Sequence, residues 1–154
     1  VDWSTEAAVA EVLDLIADAD AVLATGHLST AEVSWLAEAA RAHGVRRLLL
    51  THPSYTVPAM PSDVAATLAA AGAHIEVTAY QLLHQPGCDA AALAAFVHAV
   101  GYDGLVLSSD AGQPDSPAPP EALALLVDTL AGQGLDRGAL AAAASDTPQK
   151  LVTR

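Results

Sequence analysis

Apolar and polar positions alternate between two rhythms along this chain. From Thr5 to Ala19 the apolar residues Val9, Val12, Leu13 and Ile16 recur three and four apart, as one face of a helix requires. A short apolar run, Ala21 to Thr25, follows and reads as a strand. Ser29, Thr30, Ala31 and Glu32 then have the spacing of a capping box, which opens a helix running to about His43, with Gly44 placed to end it. The same sequence of signals repeats. Arg47 to Thr51 reads as a second strand, and Ser62 as the cap of a helix through Ala71 closed by Gly72. His74 to Tyr80 reads as a third strand, Asp89 as the cap of a helix from Ala90 to Val100 ended by Gly101, and Gly104 to Ser108 as a fourth strand. After a proline-rich connection, Pro119 and Pro120 suit the first turn of a helix reaching about Leu130.

Four strands separated by helices of this length imply right-handed crossovers and a parallel sheet, so the predicted class is α/β, with residues 1–154 as a single domain. At 53% hydrophobic and 16% charged, 154 residues are enough for one packed core. A formal net charge of −12 repels phosphate backbones and anionic membrane surfaces, which argues against nucleic acid as a partner. Asp, Glu, Gly or Pro interrupts every apolar stretch before it reaches the roughly 20 residues of a membrane span. The one cysteine, Cys88, has no internal disulfide partner, and no signal peptide is visible, so a soluble cytoplasmic protein is expected.

The predicted strands end on side chains that bind metals. His27 follows the first, His52 the second and Asp110 the fourth, while Glu76 lies in the third near the same level. His27 and His52 are 25 positions apart and His52 and Glu76 are 24 apart, close to one βα unit each, so successive units deliver these residues to one rim. The carboxyl ends of parallel strands are where such folds bind ligands. Imidazole nitrogens and a carboxylate oxygen suit a divalent ion, zinc first, with manganese, iron or nickel also compatible. Gly26 is expected to let the backbone pass close to the site, and Pro53 to hold His52 extended. A single histidine at a strand end is ordinarily a solvated loop residue; three ligand-type residues at one rim shift the balance toward a site.

The remaining candidates are weaker. His84, read as lying in the loop after the third strand, reaches either a substrate or water, and Tyr55 and Tyr80 either line a pocket or cap the core. His43 and His98 fall within helices and His74 begins a strand at the far end. Cys88 has no histidine at a motif spacing, and Gly112, Gln113 and Pro114 lack the repeated glycines and lysine of a phosphate loop.

The succession of Gly26-His27, Thr51-His52-Pro53, Glu76, and Ser108-Ser109-Asp110 with Gly112 and Gln113 resembles the last four βα units of the metal-dependent hydrolases of the amidohydrolase superfamily, closest to an uncharacterised branch of unknown function. The tail from Ser145 to Val152 is similar to the short closing helix of those barrels. The resemblance implies the C-terminal half of a (β/α)8 barrel. It also implies His27, His52 and Asp110 as metal ligands and Asp110 as the catalytic general base; Glu76, His84 and Gln113 are the expected substrate contacts. The reaction implied is hydrolysis of a small-molecule amide, ester, lactone or cyclic amidine by metal-activated water. The family's paired histidines after strand one, and the lysine or glutamate after strand four, have no counterpart here. The expectation is therefore that an N-terminal half, or another copy in a homo-oligomer, completes the barrel. The alternative from a different class is a non-catalytic α/β module, flavodoxin-like or half-barrel, that binds a ligand or partner at the same strand ends.

Overall fold

The computed structural model describes residues 3–153. Strands β1 (Val22–Ala24), β2 (Arg47–Leu50), β3 (His74–Thr78) and β4 (Leu105–Ser108) form one sheet in the order β1-β2-β3-β4, every neighbouring pair parallel. Helix α1 (Trp3–Asp18) precedes them; α2 (Thr30–Ala42), α3 (Ser62–Ala70) and the pair α4 (Ala79–His84) and α5 (Ala90–Val100) connect them; and α6 (Pro119–Gly132), α7 (Arg137–Ala144) and α8 (Asp146–Val152) follow. Strand order equals chain order. Right-handed crossovers in one direction place the connecting helices on one face of the sheet, whereas a flavodoxin-like sheet reverses direction at a switch point. The α/β class and the half-barrel-like arrangement of βα units are therefore as predicted, and the doubly wound variant is not the fold.

Alternation along the strands builds the core. Leu50, Ile75, Val77, Leu105 and Leu107 are buried in one cluster with Phe96, Val97, Leu126 and Leu130 from the helices. Glu76 and Ser108 are half-buried and lie on the opposite parity. A second, smaller cluster of Leu13, Leu36, Ala40 and Val45 fixes α1 and α2 near β1. Arg47 joins distant ends of the chain: its Nη1 donates to the carbonyls of Leu151 at 3.1 Å and Thr153 at 3.3 Å, and its Nη2 pairs with Asp20 at 3.2 Å.

The caps explain most element boundaries and most departures from prediction. Ser29 and Glu32 form the expected box, and hydrogen bonds from the Ser29 side chain, then its backbone, hold the Glu32 carboxyl below its ordinary range. Asp89 caps α5, which ends on Gly101 at φ 79°. Ser62, by contrast, is the first residue of α3; the cap position is Pro61, which offers no side-chain acceptor. The third strand stops at Thr78 rather than Tyr80, because Thr78 and Gln81 form a second capping box that starts α4. Tyr80 and His84 therefore stand on a helix, not on a strand and a loop. Helix α7, capped by the Asp136 carboxylate, was not predicted. Among the described residues no helix is long and apolar enough to cross a membrane.

Candidate functional site

Because the strands run parallel, the segments that follow them converge on one rim. A pair of threonines sets the first half of it. The Thr51 N–H donates to Thr25 Oγ1 and the Gly26 N–H donates to Thr51 Oγ1, both at 3.1 Å, so the ends of β1 and β2 are clasped just before His27 and His52. Three backbones at this rim take the left-handed conformation: Gly26 at φ 60°, His52 at 24° and Asp110 at 48°. For a non-glycine residue this is uncommon and persists where surrounding bonds enforce it. At His52 those bonds are visible: its N–H donates to Glu76 Oε2 at 3.2 Å and its carbonyl accepts from the Tyr55 N–H at 2.9 Å. Pro53 thus does not hold His52 extended; the chain turns sharply there. Gly26 likewise is present for its φ rather than for clearance, since a Cβ there would meet no atom within 4 Å.

The clasp brings the two histidines together. His27 Nε2 and His52 Nε2 are 3.1 Å apart, with ring centroids 4.9 Å apart. Two imidazoles on one zinc at about 2.0–2.1 Å and tetrahedral angles hold their nitrogens roughly 3.3 Å apart, so the pair fits two positions of such an ion. His27 is exposed, whereas His52 is buried and its Nδ1 has no hydrogen-bond partner. A ligating histidine usually donates its second nitrogen to a carboxylate or carbonyl, and that support is lacking here. Asp110 follows β4, two strands beyond β2, which by strand spacing is roughly 10 Å along the rim. Among the described residues no three His, Cys, Asp or Glu side chains form a group able to hold a metal ion. The donor set is thus half a centre, and Asp110 does not join the two histidines.

The other half of the rim is a row of rings and hydroxyls. From His52 the row continues through Tyr55 at a centroid distance of 5.2 Å, Tyr80 at a further 5.8 Å and His84 at a further 4.9 Å. Glu76 braces it from below, accepting from Ser108 Oγ at 2.9 Å with the carboxylate that also holds His52. Buried Gln81 donates to Ser54 Oγ at 2.8 Å, tying the loop after His52 to α4. The Tyr80 phenol is held above its ordinary value, first by its hydrogen bond and charge coupling with Tyr55, then by burial and the negative charges of Asp110 and Asp115. His84 Nε2 meets Ser116 Oγ at 2.8 Å, and Ser116 donates to Gln113 Oε1 at 3.1 Å. The Cys88 thiol is pushed up, mainly by burial, which makes it a poor nucleophile.

Sequence reasoning did not single out Thr25, Thr51, Gln81 or Ser116. The first two had a legible signal, since each threonine precedes a rim histidine at the end of an apolar run; Gln81 had one in its capping spacing from Thr78. Ser116 had none, because its partner lies 32 positions away.

No curated protein and no solved structure matches this chain. Residues 2–76, just under half of its 154 residues and a span containing both rim histidines, match the model of a family of unknown function, DUF6282, and over that stretch the chain is similar to that family.

Proposed function

We propose that this chain is the C-terminal half of a barrel-type, metal-dependent hydrolase of the kind found in the amidohydrolase superfamily. It acts in the cytoplasm on a small-molecule amide, ester, lactone or cyclic amidine. The observation that carries this reading is the pair of imidazole nitrogens, His27 Nε2 and His52 Nε2, held 3.1 Å apart at the carboxyl ends of parallel strands. These two residues would hold a divalent ion, zinc by preference. When bound, such an ion supplies a Lewis acid and a nucleophilic water of lowered pKa. In the completed barrel, whose centre would extend along the rim from the histidine pair toward β4, Asp110 would serve as the proton acceptor. Glu76 keeps His52 in its strained turn through the 3.2 Å bond to the His52 N–H and, with His84 and Gln113, meets the substrate. Strands pairing with β1 on the side away from β2, from an N-terminal half or a second copy, supply the missing ligands and the rest of the pocket.

Zinc titration followed by calorimetry tests the ligand pair. The 154-residue chain should bind zinc weakly, and His27→Ala and His52→Ala should each abolish that binding; zinc affinity unchanged in both variants would overturn the assignment. In the completed barrel Asp110→Asn, nearly equal in size but unable to take the proton, should slow turnover by about 10²–10⁴-fold with the fold intact.

The absence of a three-ligand group among the described residues favours a second reading, a binding module that uses the rim without catalysis. In that case Asp110→Asn would leave hydrolysis undetectable before and after, and zinc would change no ligand affinity.

A further inference from the structure

At the end of the rim away from the histidine pair, three side chains stand in the order of a nucleophile, its base and a carboxylate. His84 Nε2 lies 2.8 Å from Ser116 Oγ, and His84 Nδ1, on the other side of the ring, lies 3.7 Å from Asp115 Oδ2. The imidazole is seated: it is the last residue of α4, its side chain is 19% exposed, and its ring packs against Tyr80 at 4.9 Å. Asp115 is 76% exposed, and at this distance it makes no hydrogen bond to the ring. The Ser116 hydroxyl has one hydrogen and two acceptors beside it, Gln113 Oε1 at 3.1 Å and the closer imidazole. A half-turn of the Gln113 amide would remove the competing acceptor and leave His84 Nε2 to take the Ser116 proton.

We propose that Ser116, His84 and Asp115 form a second, metal-independent acyl-transfer site, with Ser116 as nucleophile and His84 as general base. The site shares His84 and Gln113 with the metal-site reading above but needs no metal. Ser116 Oγ bonds to the carbonyl carbon of an ester while its proton passes to His84 Nε2. The bond from that carbon to the alcohol oxygen breaks, and the alcohol leaves with the same proton. Water then attacks the seryl ester, giving its proton to His84, which returns it to Ser116 Oγ as the carboxylic acid departs. Two features point to neutral esters with an apolar or aromatic group as the substrate class. The formal net charge of −12, together with Asp110 and Asp115 near Tyr80, repels anionic acyl groups. The rings of Tyr55 and Tyr80 offer an apolar wall beside the base.

The test is to expose the chain to a fluorophosphonate ester, which traps an activated serine, and to map the adduct by mass spectrometry. One adduct is expected, on Ser116, unaffected by chelator and absent in Ser116→Ala. Labelling should slow by about 100-fold in His84→Gln and by no more than about 10-fold in Asp115→Asn, whose carboxylate is exposed. Hydrolysis of p-nitrophenyl acetate should show a burst that follows the same pattern. An adduct at another residue, no adduct, or equal labelling of Ser116 in a natively folded His84→Gln would overturn the proposal. The wild-type result decides the nucleophile even if His84→Gln fails to fold.

Discussion

At the scale of single residues, burial acts on the charge state of His74. His74 begins β3, and desolvation lowers its pKa from the ordinary 6.5, partly offset by a backbone contact with Leu48. Below about pH 6.5 the unfolded chain therefore binds a proton at this position that the folded chain resists. The stability it contributes is complete above that pH and falls on acidification until the folded-state value is passed. Replacing His74 with Leu, close in size and without charge, should flatten the decline in melting temperature between pH 7 and pH 5; calorimetry at fixed ionic strength measures it, and parallel curves would show that His74 does not titrate differentially. His52 is the contrasting case, fixed by its backbone. Its ligand type and its place at a strand end were legible in the sequence, but its φ of 24° was not, because the carboxylate that holds its N–H comes from Glu76 on the next strand.

At the scale of elements, caps and periodicity were legible and long-range clamps were not. The Ser29 and Asp89 caps read correctly because each bonds a backbone N–H three residues on. Helix α8 has only seven residues, too few to persist alone in water. It is held by buried Leu151 and by Arg47, whose guanidinium bonds carbonyls at its end from 104 and 106 positions away. Arg47→Met keeps the apolar stem but removes the donors. It should lower stability by about 2 kcal/mol in urea denaturation and raise hydrogen exchange selectively over residues 146–152. Arg47→Lys should recover only part of this, since an ammonium cannot span both carbonyls and Asp20 as the planar fork does. Unaltered exchange across α8 in Arg47→Met would show that packing alone secures the helix.

For the whole molecule, the edge of the sheet governs association. Within the described residues β1 pairs on one side only, with β2. Beside it an apolar groove is lined by Val9, Val12, Leu23, Leu28 and Trp35, and Val12 and Leu15 on α1 are 53% and 68% exposed. Exposed edges and apolar patches of this kind promote association. We expect the 154-residue chain to self-associate reversibly, and more strongly with added salt, because screening weakens the repulsion between copies that each carry a formal −12. Sedimentation velocity should show the shift, and Val12→Glu combined with Leu15→Glu should return the chain to monomer. A wild-type monomer at all concentrations would mean that the edge is protected without a partner.

The sequence by itself determined the α/β class, the four parallel strands, most helix starts and the rim on which His27, His52 and Asp110 fall, because these depend on interactions within a few residues. Only the tertiary structure decided that strand order follows chain order, that His27 meets His52 while Asp110 stands apart, that Glu76 bends the chain at His52, and that His84 faces Ser116. Those partners lie 24 to 32 positions apart. What joins them is the register of neighbouring strands and the packing of helices across the sheet, which no local rhythm of apolar residues encodes.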